Sequence, residues 1–108
     1  ASEYFNIDIE SPYMTSVFEA KDNMKHIIPA VVHVDNTARV QTVSKIDNPK
    51  FYKLIQSFEE LTGVPIILNT SLNVNEPICE SPENALEIFT KTSMDMIVIQ
   101  NWVMWKNG

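Results

Sequence analysis

Residues 64–77 read VPIILNTSLNVNEP. The first five form a short apolar run rich in β-branched side chains, which predicts a buried strand over 64–68. Pro65 sits near its start, where a missing N–H costs a ladder least. The character then changes to Asn69, Thr70, Ser71, Asn73 and Asn75, all uncharged hydrogen-bonding groups. A buried strand ending in amides and hydroxyls resembles a ligand-binding edge, because such groups donate and accept without bringing charge. The competing reading is an Asn/Ser-rich turn whose side chains bond their own backbone.

On either side of this stretch lie two helix signatures. Asn48-Pro49 supplies an N-cap and a proline in the first turn. Phe51, Leu54, Ile55, Phe58 and Leu61 follow at three- and four-residue steps, the stripe of an amphipathic helix. Gly63 is the natural stop, so a helix is predicted over 49–62. Ser81-Pro82-Glu83 repeats the opening signature, and Ala85, Leu86 and Phe89 predict a shorter helix over 82–91. Residues 96–100 and 102–105 are compact apolar strands.

Farther upstream, Tyr4, Phe5, Ile7 and Ile9 hint at a short extended arm, and Ser11-Pro12 marks a break. A strand is predicted over 13–20, with Met14, Val17 and Phe18 as its apolar members. Residues 21–25 are polar, and Pro29 argues against a helix continuing through that point. Residues 30–43, AVVHVDNTARVQTV, predict strands over 31–34 and 38–43 about an Asp35-Asn36 turn, since Asn tolerates positive φ. Alternation puts Arg39, Gln41 and Val43 on one face of the second strand, opposite Ala38, Val40 and Thr42. The expected class is α+β: a twisted mixed β-sheet with two main helices packed on it, as a single domain over 1–108.

The chain has 108 residues, 44% of them hydrophobic, enough for one packed core. It carries 14 acidic and 8 basic side chains, a formal net charge of -6. Nucleic-acid and anionic membrane surfaces need clustered Lys and Arg, which are missing here, so neither partner is expected. A small anionic ligand stays open, because one well-placed cation with backbone donors holds a phosphate. Cys79 is the only cysteine, which excludes an internal disulfide and a multi-cysteine metal site. No apolar run is long enough to span a bilayer. The start Ala1-Ser2-Glu3 lacks the pattern of a signal peptide, so a cytoplasmic location is expected.

Arg39 is the sole arginine among eight basic residues. Its planar fork of five donors matches phosphate or carboxylate oxygens, and it stays charged when partly buried. Thr37 and Gln41 add neutral groups beside it. An ion pair of Arg39 with Asp35 or Asp47 is the alternative. His33 has the chemistry of a general base or a ligand donor, although a histidine among valines is more often structural. A Ser71–His33–Asp35 triad lacks the glycine-flanked strand-to-helix elbow that such a nucleophile requires. Cys79, the methionines and both tryptophans read as packing.

Taken together, HVDNTARVQTV, NPKFYKLIQSFEELTGVPIILNTSLN and EPICESPENALEIF resemble the C-terminal region of bacterial O-carbamoyltransferases. These are nodulation-protein and antibiotic-tailoring enzymes that use carbamoyl phosphate and ATP. The opening SPYM and the closing strand fit too, so the resemblance covers nearly the whole chain. It implies part of a YrdC-like domain that makes carbamoyl-adenylate. It also implies a preceding ASKHA-type domain, bearing an iron-type metal, that passes the carbamoyl group to a hydroxyl acceptor. Ser71-Leu72-Asn73 resembles the family's Ser-x-Asn nucleotide motif, and Arg39 within Thr-Ala-Arg-x-Gln resembles its phosphate-binding arginine. On that footing Arg39 is the catalytic candidate. Arg39, Asn69, Thr70, Ser71 and Asn73 are expected to hold ATP, with magnesium, and His33, Thr37 and Gln41 to contact ligand.

The resemblance puts the family's basic stretch, of the kind Lys-x-Arg-Glu leading to Arg-Pro, ahead of Ala1, so the chain is expected to be a fragment that is inactive alone. The loop over 73–77 lacks the family's glycine and is one residue shorter, and Asn36 stands where the family has another glycine. Glycines there let backbone approach a phosphate closely. The alternative is therefore a degenerate, non-catalytic domain that stabilises or gates its partner domain.

Overall fold

A computed structural model describes residues 1–74 and 77–106. The chain divides into two compact units, Ala1–Leu68 and Asn69–Gly108. Its class is α+β, as expected.

In the first unit, strand β1 (Val17–Glu19) pairs antiparallel with β2 (Thr37–Arg39), in the register Val17 to Arg39, Phe18 to Ala38 and Glu19 to Thr37. The predicted alternation holds: Ala38 and Val40 are buried while Arg39 is exposed. The N-terminal arm runs beside the end of β1. The Asn6 amide donates to the Glu19 carbonyl at 2.8 Å, and the Lys21 amide donates to the Tyr4 carbonyl at 2.9 Å. Tyr4, Phe5 and Ile7 thereby join Ala20, Ile28, Ala38 and Val40 in the core, with Val64 and Ile66 packed against it.

Ser11, taken from sequence as a break, is a clasp. It is 4% exposed, and its hydroxyl donates to the Val40 carbonyl at 2.9 Å. Its amide donates to Thr42 Oγ1 at 2.8 Å, and its carbonyl accepts from the Thr42 amide at 2.8 Å. A buried hydroxyl is costly unless bonded, and this one is bonded.

Helix α1 (Pro49–Thr62) begins and ends where its caps predict. Asn48 Oδ1 accepts from the Phe51 amide, and Gly63 closes the helix at φ 80°. An L side chain is disfavoured in that left-handed conformation, which is why glycine stands there. In the second unit, α2 (Pro82–Lys91) is capped by the Ser81 side chain, which accepts from the Asn84 amide. Strands β3 (Met96–Ile99) and β4 (Trp102–Trp105) form an antiparallel hairpin, with α2 packed against β3. Lys106 donates to the Thr92 carbonyl, with its ammonium 4.9 Å above the Phe89 ring.

Several expected strands are shorter or take another form. The described residues hold two antiparallel two-stranded sheets, not one mixed sheet, and α2 rather than both helices packs on a strand. Residues 64–68 are not a strand. Residues 64–67 are half-buried, with Val64 and Ile66 packed against the core, Leu68 is exposed, and none of them pairs with a described strand. Residues 31–34 leave the strand path because Pro29 starts a 3-10 turn, Pro29–Val31, its fixed φ suiting a first helical position. The strand expected over 13–20 begins only at Val17, after Met14 at φ 56° interrupts the extended path.

Burial pushes the Tyr4 phenol above its ordinary value of 10.0, with the negative charges of Glu3 and Glu59 adding to the effect. A folded pKa above the unfolded one gives stability that is full below the unfolded value and lost as pH rises through the folded value. Between about pH 9 and pH 12, the wild-type urea midpoint is therefore expected to fall more steeply than that of Tyr4→Phe. Parallel pH profiles for the two proteins would contradict this.

Candidate functional site

The predicted site residues fall into two groups, one in each unit. In the first, β2 carries Thr37 and Arg39, and Gln41 follows just beyond its end. The strand's period of two points all three away from the buried Ala38 and Val40. The turn ahead of β2 is locked by side chains. The Thr37 hydroxyl and amide donate to Asp35 Oδ1 at 2.6 and 3.1 Å. The hydroxyl bond is the largest influence holding the Asp35 carboxyl below its ordinary value. The His33 amide donates to the Thr37 carbonyl at 2.8 Å, and its carbonyl accepts from the Asn36 amide at 2.9 Å. Asn36 takes the left-handed conformation, φ 67°, as expected of that position. The His33 side chain is exposed.

Arg39 is exposed, and no carboxylate of the described residues lies within ion-pair distance of it. Asp35, an expected partner, spends its acceptor on Thr37 instead. The guanidinium fork is thus available to an outside oxyanion. The Gln41 amide donates to the Pro12 carbonyl at 3.2 Å, which ties SPYM to the segment just beyond β2. That tie was not foreseen; its only sequence signal was Ser-Pro, read as a break.

In the second unit, Asn69, Thr70, Ser71 and Asn73 all lie exposed on a segment without helix or strand. The Ser71 hydroxyl donates to Asn73 Oδ1 at 2.8 Å. The Leu72 carbonyl accepts from the Cys79 amide at 3.1 Å, which draws the two sides of the following loop together. The shortened loop's Asn75 and Glu76 lie outside the described residues. The Ser-x-Asn spacing makes a local bond between two side chains, where the turn reading expected side chains bonded to their own backbone.

Among the described residues, no three His, Cys, Asp or Glu side chains come together to hold a metal ion. An open depression of about 440 Å³ is lined by Ser2, Phe5, Asn6, Ile7, Asp8 and Lys21; none of these is a predicted site residue. No helix among the described residues is long and apolar enough to cross a membrane.

Residues 1–106 match a family model described as the carbamoyltransferase C-terminus. Nodulation protein NolNO of Sinorhizobium fredii is 39% identical over 98% of this chain and 16% of its own length. The 3'-hydroxymethylcephem-O-carbamoyltransferase of Amycolatopsis lactamdurans is 34% identical over 96% of this chain and 20% of its own. An uncharacterized Synechocystis protein, sll1178, is 37% identical over 98% of this chain and 21% of its own. The chain thus spans about a fifth or less of the length of these relatives.

Proposed function

The chain belongs to the carbamoyltransferase C-terminus family, and from that premise we propose that it serves the nucleotide step of an ATP-dependent O-carbamoyltransferase. In this reading it is part of a YrdC-like domain, acting in the cytoplasm with a preceding ASKHA-type domain of the same polypeptide. ATP and carbamoyl phosphate are its ligands. Water first cleaves carbamoyl phosphate to carbamate and inorganic phosphate, and a carbamate oxygen then attacks the α-phosphorus of ATP. The bond to the β-phosphate breaks, and pyrophosphate leaves with carbamoyl-adenylate formed. Such a step needs no protein nucleophile; it needs positioning and charge stabilisation.

The observation that carries the proposal is the exposed Arg39 fork, held on a strand beside Thr37 and Gln41 and without a carboxylate partner among the described residues. Arg39 neutralises phosphate charge. Asn69, Thr70, Ser71 and Asn73 supply neutral contacts to phosphate and ribose oxygens, with His33 a further ligand contact.

The bond from Ser71 to Asn73 favours a second reading, in which the segment is a self-satisfied turn and the domain only stabilises or gates its partner. The two readings separate on Ser71→Ala in the full-length parent. If the hydroxyl turns from Asn73 to a nucleotide oxygen, it contributes a neutral hydrogen bond of about 1 kcal/mol, so the ATP dissociation constant rises about fivefold. An unchanged constant, measured by calorimetry, would favour the turn.

A further inference from the structure

Helix α1 is amphipathic, yet none of its residues is fully buried. Its apolar arc divides lengthwise at 100° per residue. One side, with Phe51 and Ile55, is half-buried. The adjoining side presents Leu54 at 56%, Phe58 at 38% and Leu61 at 87% exposure. These three stand at steps of four and three residues, the spacing of a packing seam. A helix of this length is marginal without tertiary contacts, so an uncovered seam on a well-capped helix calls for a cover.

The area argues for which cover. Three partly exposed side chains offer on the order of 300 Å², well short of the roughly 800 Å² per partner that a stable association between separate molecules buries. A segment of the same polypeptide faces no such threshold, because tethering replaces the cost of association with a high effective concentration. Such a segment is at hand in the relatives, where the matched region is described as the C-terminus and makes up only 16–21% of the chain.

We propose that the Leu54–Phe58–Leu61 seam of α1 is the docking face for the polypeptide that precedes this region in the longer transferase. The inference rests on the reading of the chain as the C-terminal portion of that enzyme. An apolar segment of the preceding polypeptide seats against the seam, within the same molecule.

The test places the photocrosslinking residue p-benzoylphenylalanine at position 61 of the full-length parent. The expected product is a crosslink at monomer mass, joining α1 to a peptide from the preceding polypeptide. Crosslinks found only at dimer mass would assign the seam to a second copy. No crosslink, or one only within residues 1–108, would leave the seam without the proposed cover. Either result overturns the proposal. As a second measurement, Leu61→Asp should lower the melting temperature of the parent by several degrees while Leu61→Met leaves it unchanged. Equal melting for all three proteins would also count against it. A parent that crosslinks as expected but shows no carbamoyl phosphate-dependent ATP–pyrophosphate exchange would refute the catalytic reading and leave the docking face standing.

Discussion

Arg39→Ala in the full-length parent is expected to lower kcat/KM for carbamoyl transfer by a factor of about 30 to 1000. That range corresponds to about 2–4 kcal/mol for a charge contact desolvated around a phosphate. Arg39→Lys should recover only part of the loss, because an ammonium is a point charge and cannot reproduce the two-pronged geometry of a guanidinium. Folding should hardly change in either variant. Arg39 is exposed and holds no carboxylate among the described residues, so its removal leaves no buried charge unpaired. Unfolding free energies from urea titration within about 1 kcal/mol of wild type would confirm that the lost rate belongs to the site. A parent that keeps wild-type turnover as Arg39→Ala would make this arginine an ordinary surface residue.

Phe89→Ala is expected to cost about 3–5 kcal/mol of stability, the usual range for emptying a buried aromatic position. Phe89 is 2% exposed and lies with Ala85 and Ile88 on the buried face of α2. Its ring also lies beneath the Lys106 ammonium, a contact that adds about 0.5–1 kcal/mol. A small unit has little stability to lose, so α2 and the β3–β4 hairpin should loosen together. Amide hydrogen exchange reads this directly: protection across 85–91 and 96–105 should collapse in Phe89→Ala and survive in Phe89→Leu. The tryptophans are poor reporters, since Trp102 and Trp105 are already exposed. Undiminished protection in Phe89→Ala would remove this residue from the centre of the second unit.

The helices were legible to the residue because their signals are local. Asn48, Pro49 and Gly63 bracket α1, and Ser81 and Pro82 open α2; caps act on amides within one turn. The left-handed Asn36 and the separate strands β3 and β4 were legible for the same reason, though not the pairing of those strands as a hairpin. Pairing between distant segments was not. The run over 64–68 has strand composition, but composition carries no information about whether a neighbouring edge exists. Ser11 likewise reaches Val40 and Thr42 across a long loop that no periodicity announces.

In the candidate site, the outward position of Arg39 followed from alternation on β2, and its lack of an ion pair among the described residues did not. That depended on whether Asp35 would turn to Arg39 or to the Thr37 hydroxyl. Such a choice between two short-range partners is made by turn geometry, which the residue types leave open. The same holds for Ser71, whose bond to Asn73 answers to the loop around it rather than to the motif.

Carbamoyl phosphate-dependent ATP–pyrophosphate exchange in the full-length parent tests the central claim most directly, because it reports adenylate formation without needing the hydroxyl acceptor. Wild-type parent should exchange label, Arg39→Lys should exchange it slowly, and Arg39→Ala should fall by about 30-fold or more. Wild-type exchange rates in Arg39→Ala would contradict the assignment of the phosphate site to this chain.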